Sequence, residues 1–287
     1  MNWLDILKAS ASEAGNIVCM GLDPVVDALP APGKDVTARI TDYFEQIFTA
    51  MKAKDLRVAA FKPNLGYYAK LDRPLEGSFA GSLALAGTIR LIRDLFPGVP
   101  VILDAKRGDI ATSSKNYAQE AFETWTADCV TVSPYMGTDS IMPFAFEGKG
   151  MYILNRTSNP GGKDLQNKIE STGDPFYMTV AKAIAGWHAE HDGIGAVAGA
   201  TNLKEFEDIA GFYTGKDIPL LIPGVGSQGG TAPEVMDLMR KTGYPIALAR
   251  INSSSGLTHP WKKGPAPEDA LDRVLANIGK LIGETAI

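Results

Sequence analysis

Eight short apolar runs, most of them separated by helix-patterned stretches, constrain the fold of this 287-residue chain more than any other feature. They occupy 17–22, 58–61, 99–103, 129–132, 151–154, 194–198, 218–222 and 246–249. Helical periodicity appears at 36–52, 83–96, 117–124, 176–190, 203–210 and 232–242, and an amphipathic run over 267–282 closes the sequence. Pro233 sits where proline is preferred, in the first turn of a helix. Strand alternating with helix implies a parallel sheet with right-handed crossovers. Eight repeats in a chain of this length favour a (β/α)₈ barrel, a single domain over 1–287, with a doubly wound open sheet as the alternative.

Composition narrows the function. The chain is 45% hydrophobic and 21% charged, enough apolar residue for a large core. Its net charge of −5 provides no basic footprint for nucleic acid. No run approaches the ~20 apolar residues of a membrane span, and the opening MNWLDILKAS lacks a basic segment followed by a long apolar one. Cys19 and Cys129 lie in apolar runs and read as buried free thiols, in keeping with a reducing cytoplasm. The three histidines, His188, His191 and His259, make no metal-ligand cluster with them. The expected partners are therefore small molecules, with no nucleic acid, membrane or metal.

The informative polar residues fall at the carboxyl ends of the runs, where a barrel holds its active site. Asp23 follows the first and Lys62 the second, while Asp104, Lys106 and Asp109 follow the third in the segment DAKRGD. Side chains two apart on a strand share a face, so Asp104 and Lys106 project together if the strand persists that far. Two carboxylates crowded into a partly dry mouth raise a carboxyl pKa unless cations intervene, and Lys62 and Lys106 supply them. Such a row keeps Lys106 an ammonium, able to donate a proton. After the seventh run, PGVGSQGG (223–230) offers backbone N–H groups suited to a phosphate, and Arg250 after the eighth would add a bidentate contact. The Gly- and Pro-containing stretch 156–174 reads as a long loop, a candidate lid.

These motifs resemble those of the orotidine 5′-phosphate decarboxylase family over nearly the whole chain. LDAKRGDI carries the family's Asp-x-Lys-x-x-Asp pattern, and GLDP, FKPN, TSNPG and PGVGSQGG follow in the family's order. DAKRGDI with TSNPG is similar to the longer bacterial branch. The resemblance implies removal of CO₂ from C6 of orotidylate to give uridylate, without metal or organic cofactor. It implies that Asp23 contacts the ribose, Lys62 belongs to the charged row, Asp104 faces the substrate carboxylate and Lys106 protonates C6. Asp109, Ile110 and Ser113 would reach into a neighbouring subunit's site, which implies a homodimer. Ser158 would bind the pyrimidine ring, Pro223 and Gln228 would belong to the substrate site with Gln228 linking lid to phosphate, and Arg250 would grip the phosphate.

One region departs from that branch. Where it carries an Arg after Asn-Ser-Ser, this chain has Ser255, which leaves Arg250, Lys262 or Lys263 as the phosphate cation. Three other activities fit parts of the pattern. A Mg²⁺-dependent sugar-phosphate decarboxylase or aldolase needs a carboxylate near the second strand end, where Lys62 stands. A Schiff-base aldolase and a non-catalytic nucleotide-binding barrel complete the set.

Overall fold

Each apolar run overlaps a parallel strand in the computed structural model, which describes residues 1–30, 35–226, 229–261 and 264–287. The strands are β1 (Val18–Leu22), β2 (Ala60–Pro63), β3 (Ile102–Arg107), β4 (Cys129–Val132), β5 (Gly150–Arg156), β6 (Ile194–Ala198), β7 (Leu220–Ile222) and β8 (Ala249–Ser253). Their order is β2-β1-β8-β7-β6-β5-β4-β3, and the bridges Phe61–Val101 and Asn64–Asp104 bring β2 against β3, closing the barrel. Helices cover the strands outside, so both faces are buried and the strands read as continuous apolar runs rather than alternating ones.

Two layers of core result. Outside the barrel, Phe48 of the helix Val36–Ala53 packs on Phe61 of β2 at 5.0 Å between ring centroids, and Phe96 lies 5.2 Å from Phe61. Below it, the helix α1 (Trp3–Ala14) covers the floor, with Trp3 edge-on to Tyr152 at 6.2 Å. Gly150 permits this approach, since a Cβ there would lie 2.3 Å from the Trp3 ring. The strand–helix alternation does not include α1, which precedes the first strand. Its buried residues, Trp3, Leu7, Ser10 and Ala11, nevertheless recur at helical spacing.

The eighth strand corrects the sequence expectation. Residues Ile246–Leu248 form a 3₁₀ turn after Pro245, and β8 starts only at Ala249. Arg250 is thus at the strand's beginning, not its carboxyl end. Its guanidinium is fully buried against the floor. It donates to Leu7 O and Ser10 Oγ of α1, both at 2.6 Å, and to Ala249 O at 2.7 Å. Burial there pulls its pKa below the usual arginine value.

Two further expectations change. Strand β3 runs on through Asp104 and Lys106 to Arg107, past the apolar run, with a bulge between Leu103 and Arg107. The stretch 156–174 is not a structureless loop. Strand β5 continues to Arg156, followed by the turn Pro160–Gly162, the short helix Lys163–Gln166 and a bridge between Ile169 and Pro175. Cys19 and Cys129 are free and buried as expected, and burial pushes the Cys19 thiol up to about 12. No helix among the described residues is long and apolar enough to cross a membrane.

The location of Arg250 has a measurable consequence. Arg250→Ala strips donors from buried acceptors and opens a cavity, so urea unfolding should show a loss of about 2–4 kcal/mol. Affinity for a nucleotide monophosphate, measured per folded molecule, should stay at the wild-type value; a selective loss of phosphate binding would return Arg250 to the site.

Candidate active site

The carboxyl ends of the strands open on a cavity of about 460 Å³, and its polar wall is built from three neighbouring strands. Lys62 enters from β2, Asp104 and Lys106 from β3, and Thr131 from β4. Lys62 Nζ lies 2.8 Å from Asp104 Oδ2, and Lys106 Nζ lies 2.6 Å from Asp104 Oδ1. The carboxylate therefore sits between two ammonium groups. Lys62 is 5% exposed and Lys106 is 50% exposed, so both line the cavity but the second is far more open to it.

Thr131 fixes this geometry, and nothing in its local sequence marks it out. Its hydroxyl donates to Asp104 Oδ1 at 2.8 Å and accepts from Ala105 N and Lys106 N at 3.0 and 2.9 Å. Both amides converge on one oxygen because β3 bulges between Leu103 and Arg107, with Lys106 at φ +48°. A non-glycine residue rarely adopts that conformation, and strain of this kind collects at functional positions. Here it aims the Lys106 side chain back toward Asp104, its second neighbour along the strand.

The charges reinforce one another. Burial alone would raise the Asp104 pKa, but Lys62 and then Lys106 hold it well below the usual carboxylate range. Burial would likewise lower that of Lys62, yet Asp104 and Asp23 keep it above the ordinary lysine value. Both groups are ionised at neutral pH.

Asp23 lines the same cavity just beyond β1. Its Oδ1 is buried without a hydrogen-bond partner, as is Oδ1 of Asn252 on β8, another lining residue. Unmet acceptors at a cavity wall are costly unless a ligand's donors reach them, which suits the hydroxyls of a sugar. Gly21 lets β1 approach the residue just after β8, since a Cβ would lie 1.9 Å from Ser254 Oγ. Opposite, Ser158 and Pro223 line the wall. Gly224, at φ +93°, passes so close that its Cβ would stand 3.0 Å from Ser158 Cβ.

An adjoining polar cavity of about 190 Å³ shares Asp23, Pro223, Asn252 and Ser254 with the first and adds Ser255 and His259. Burial lowers the His259 pKa, against the pull of Asp23. Gln228, Lys262 and Lys263 lie outside the described residues. Asp109, Ile110 and Ser113 are not brought into the cavity. Asp109 Oδ1 accepts from Ile110 N at 2.7 Å, and its carboxylate is within ion-pair distance of neither Lys62 nor Lys106. Sequence reasoning did not find Thr131, Asn252 or Ser254. For the last two, the shifted end of β8 was the cause.

Comparison with known proteins adds the family. A model of the orotidine 5′-phosphate decarboxylase / HUMPS family matches residues 18–246. The chain belongs to that family. Two relatives named orotidine 5′-phosphate decarboxylase are each 40% identical to it. The protein from Verminephrobacter eiseniae aligns over 88% of both chains, and the one from Delftia acidovorans over 90% of both. Among solved structures, Leishmania donovani OMP decarboxylase matches with a TM-score of 0.74 at 27% identity, covering 99% of each chain. The family's barrel is therefore the fold of this chain, with the charged row at its mouth.

Acid titration tests the row. The Asp104 pKa is lowered on folding, so its contribution is present above the unfolded value of about 3.9 and lost as pH falls through the folded one. The urea midpoint of wild type should thus drop between about pH 4 and pH 2 more steeply than that of Asp104→Asn; identical slopes would mean the carboxylate is not held ionised.

Proposed function

We propose that this protein removes CO₂ from C6 of orotidine 5′-monophosphate to give uridine 5′-monophosphate, a step of pyrimidine nucleotide synthesis. The observation that carries the reading is the Lys62–Asp104–Lys106 row, whose only half-exposed ammonium faces the cavity. The names of the relatives at 40% identity support the same substrate. Two buried free thiols fit a reducing, cytoplasmic setting.

In this mechanism the substrate carboxylate rests beside Asp104. The bond from C6 to the carboxylate breaks, CO₂ departs, and the electron pair stays on C6. Lys106 stabilises the developing charge and then transfers one N–H proton to C6, leaving a neutral amine that is reprotonated from solvent. Lys62 and Lys106 keep their positions through the bonds to Asp104, so no reorganisation is needed when charge appears. Repulsion between Asp104 and the substrate carboxylate adds ground-state destabilisation. Asp23 and Asn252 receive the ribose hydroxyls, Ser158 meets the pyrimidine ring, and the 223–230 segment receives the phosphate. Phosphate binding far from C6 then supports the chemistry through remote binding energy. No step requires a metal, and Lys62 stands where the Mg²⁺-dependent alternative needs a carboxylate.

Asp109, Ile110 and Ser113 complete the site of a second copy in a homodimer. The exposure of Ile110 in one chain supports this. Ile110 is 59% exposed at the start of the helix Ala111–Gln119, and Tyr135, on the loop after the adjacent strand, is 83% exposed. Large apolar groups left bare beside an active site fit a partner's surface.

Two experiments test the reading. Purified protein should consume orotidylate absorbance at the same rate with and without a strong chelator, and Lys106→Ala should abolish turnover while retaining uridylate binding. Near-normal turnover in that variant defeats the proton-donor assignment. Mixing inactive Lys106→Ala with inactive Asp109→Ala should restore activity, because the mixed dimer contains one site with both residues intact; no recovery in a verified mixed dimer rejects shared sites.

A further inference from the structure

The cavity wall at Ser158 is held by a buried ion pair that the chemistry above does not use. Arg156, the last residue of β5, donates through Nε to Glu205 Oε2 at 2.6 Å, with side chains 8% and 9% exposed. Glu205 belongs to the helix Leu203–Tyr213 that follows β6. Its other oxygen accepts from Asn167 Nδ2 at 2.5 Å. Arg156 Nη1 donates to Thr157 O at 2.5 Å and to Gln166 Oε1 at 3.2 Å, and the same Gln166 oxygen accepts from Thr157 N at 3.0 Å. Gly162 leaves the space, because a Cβ there would stand 2.6 Å from Arg156 Nη1.

The short rim 157–159 is therefore gripped from below by one guanidinium and from the side by one amide. From β6 the opposite wall closes in. Gly199 N donates to Arg156 O at 2.7 Å, and Thr201 Oγ1 donates to Ser158 O at 3.2 Å. A buried ion pair is a poor source of net stability, since desolvation offsets its attraction. Its value is directional: a planar guanidinium ties one backbone carbonyl to side chains of two helices at once.

We propose that Arg156, Glu205 and Gln166 are positioning residues, which set the 157–159 rim so that Ser158 meets the flat ring of the substrate. The inference deepens the function proposed above and rests on its reading of Ser158. It separates two parts of the ligand. Loosening the rim weakens contacts to the ring and leaves the sugar-phosphate end, held by other strands, as it was.

Binding of uridine 5′-monophosphate and of ribose 5-phosphate, measured calorimetrically on the full-length protein, distinguishes these parts. Gln166→Ala and Glu205→Gln should each weaken the nucleotide about tenfold and leave ribose 5-phosphate unchanged. Turnover should fall by up to about 100-fold through misplacement of the ring. Gln166→Glu, which keeps an acceptor for Thr157 N and Arg156, should recover most of the loss. Gln166 is on the surface side of the brace, so its variants remain informative should Glu205→Gln fail to fold. Equal loss of both ligands, or unchanged nucleotide affinity in Gln166→Ala, overturns the proposal. Wild-type protein that binds the nucleotide no better than ribose 5-phosphate removes the ring contact itself, and that failure is visible without any variant.

Discussion

A carboxylate that is 7% exposed yet ionised is the constraint around which this barrel mouth is organised. Asp104 could not keep its charge in so dry a place alone, because burial favours the neutral acid. Two lysines from different strand positions and one threonine hydroxyl satisfy it. Each of these depends on another element. Lys62 needs β2 brought against β3 at the closing seam, Thr131 needs the β3–β4 register, and Lys106 needs a strained backbone. The electrostatics of the site and the closure of the barrel are thus one structural fact.

That dependence explains what could be read in the sequence. The charged triad was legible because its members sit directly after apolar runs, where strand ends must fall. Asp23, Ser158 and Pro223 were legible for the same reason, and all line the cavity. Arg250 was not. The run 246–249 looks like a strand, but Pro245 initiates a 3₁₀ turn there, and the true strand begins where the apolar run ends. A displacement of a few residues moved an arginine from floor to rim and hid Asn252 and Ser254. Local apolarity identifies a buried segment and does not tell a tight turn from an extended one.

Thr131 and the Arg156–Glu205 pair were invisible for a different reason. Their importance is long-range: Thr131 meets residues 25 to 27 positions away, and Arg156 meets one 49 away. A threonine within a strand and a charged residue at the head of a helix are ordinary locally. Only the folded arrangement shows that one oxygen serves two amides and a carboxylate. The helix α1 is intermediate, since its periodicity was present but lay outside the repeating pattern that organised the rest.

The sealed floor has one more effect. Trp3 and α1 plug the end of the barrel opposite the mouth, and Arg250 stands over that plug with no carboxylate bonded to it among the described residues. Cys19, within the barrel, feels both Arg250 and Lys62. Asp104 and Asp23 act on the same thiol with the opposite sign, so the interior holds positive and negative groups stacked from floor to mouth. The plugged floor and low-dielectric walls focus the field of these charges toward the mouth, where a ligand meets it.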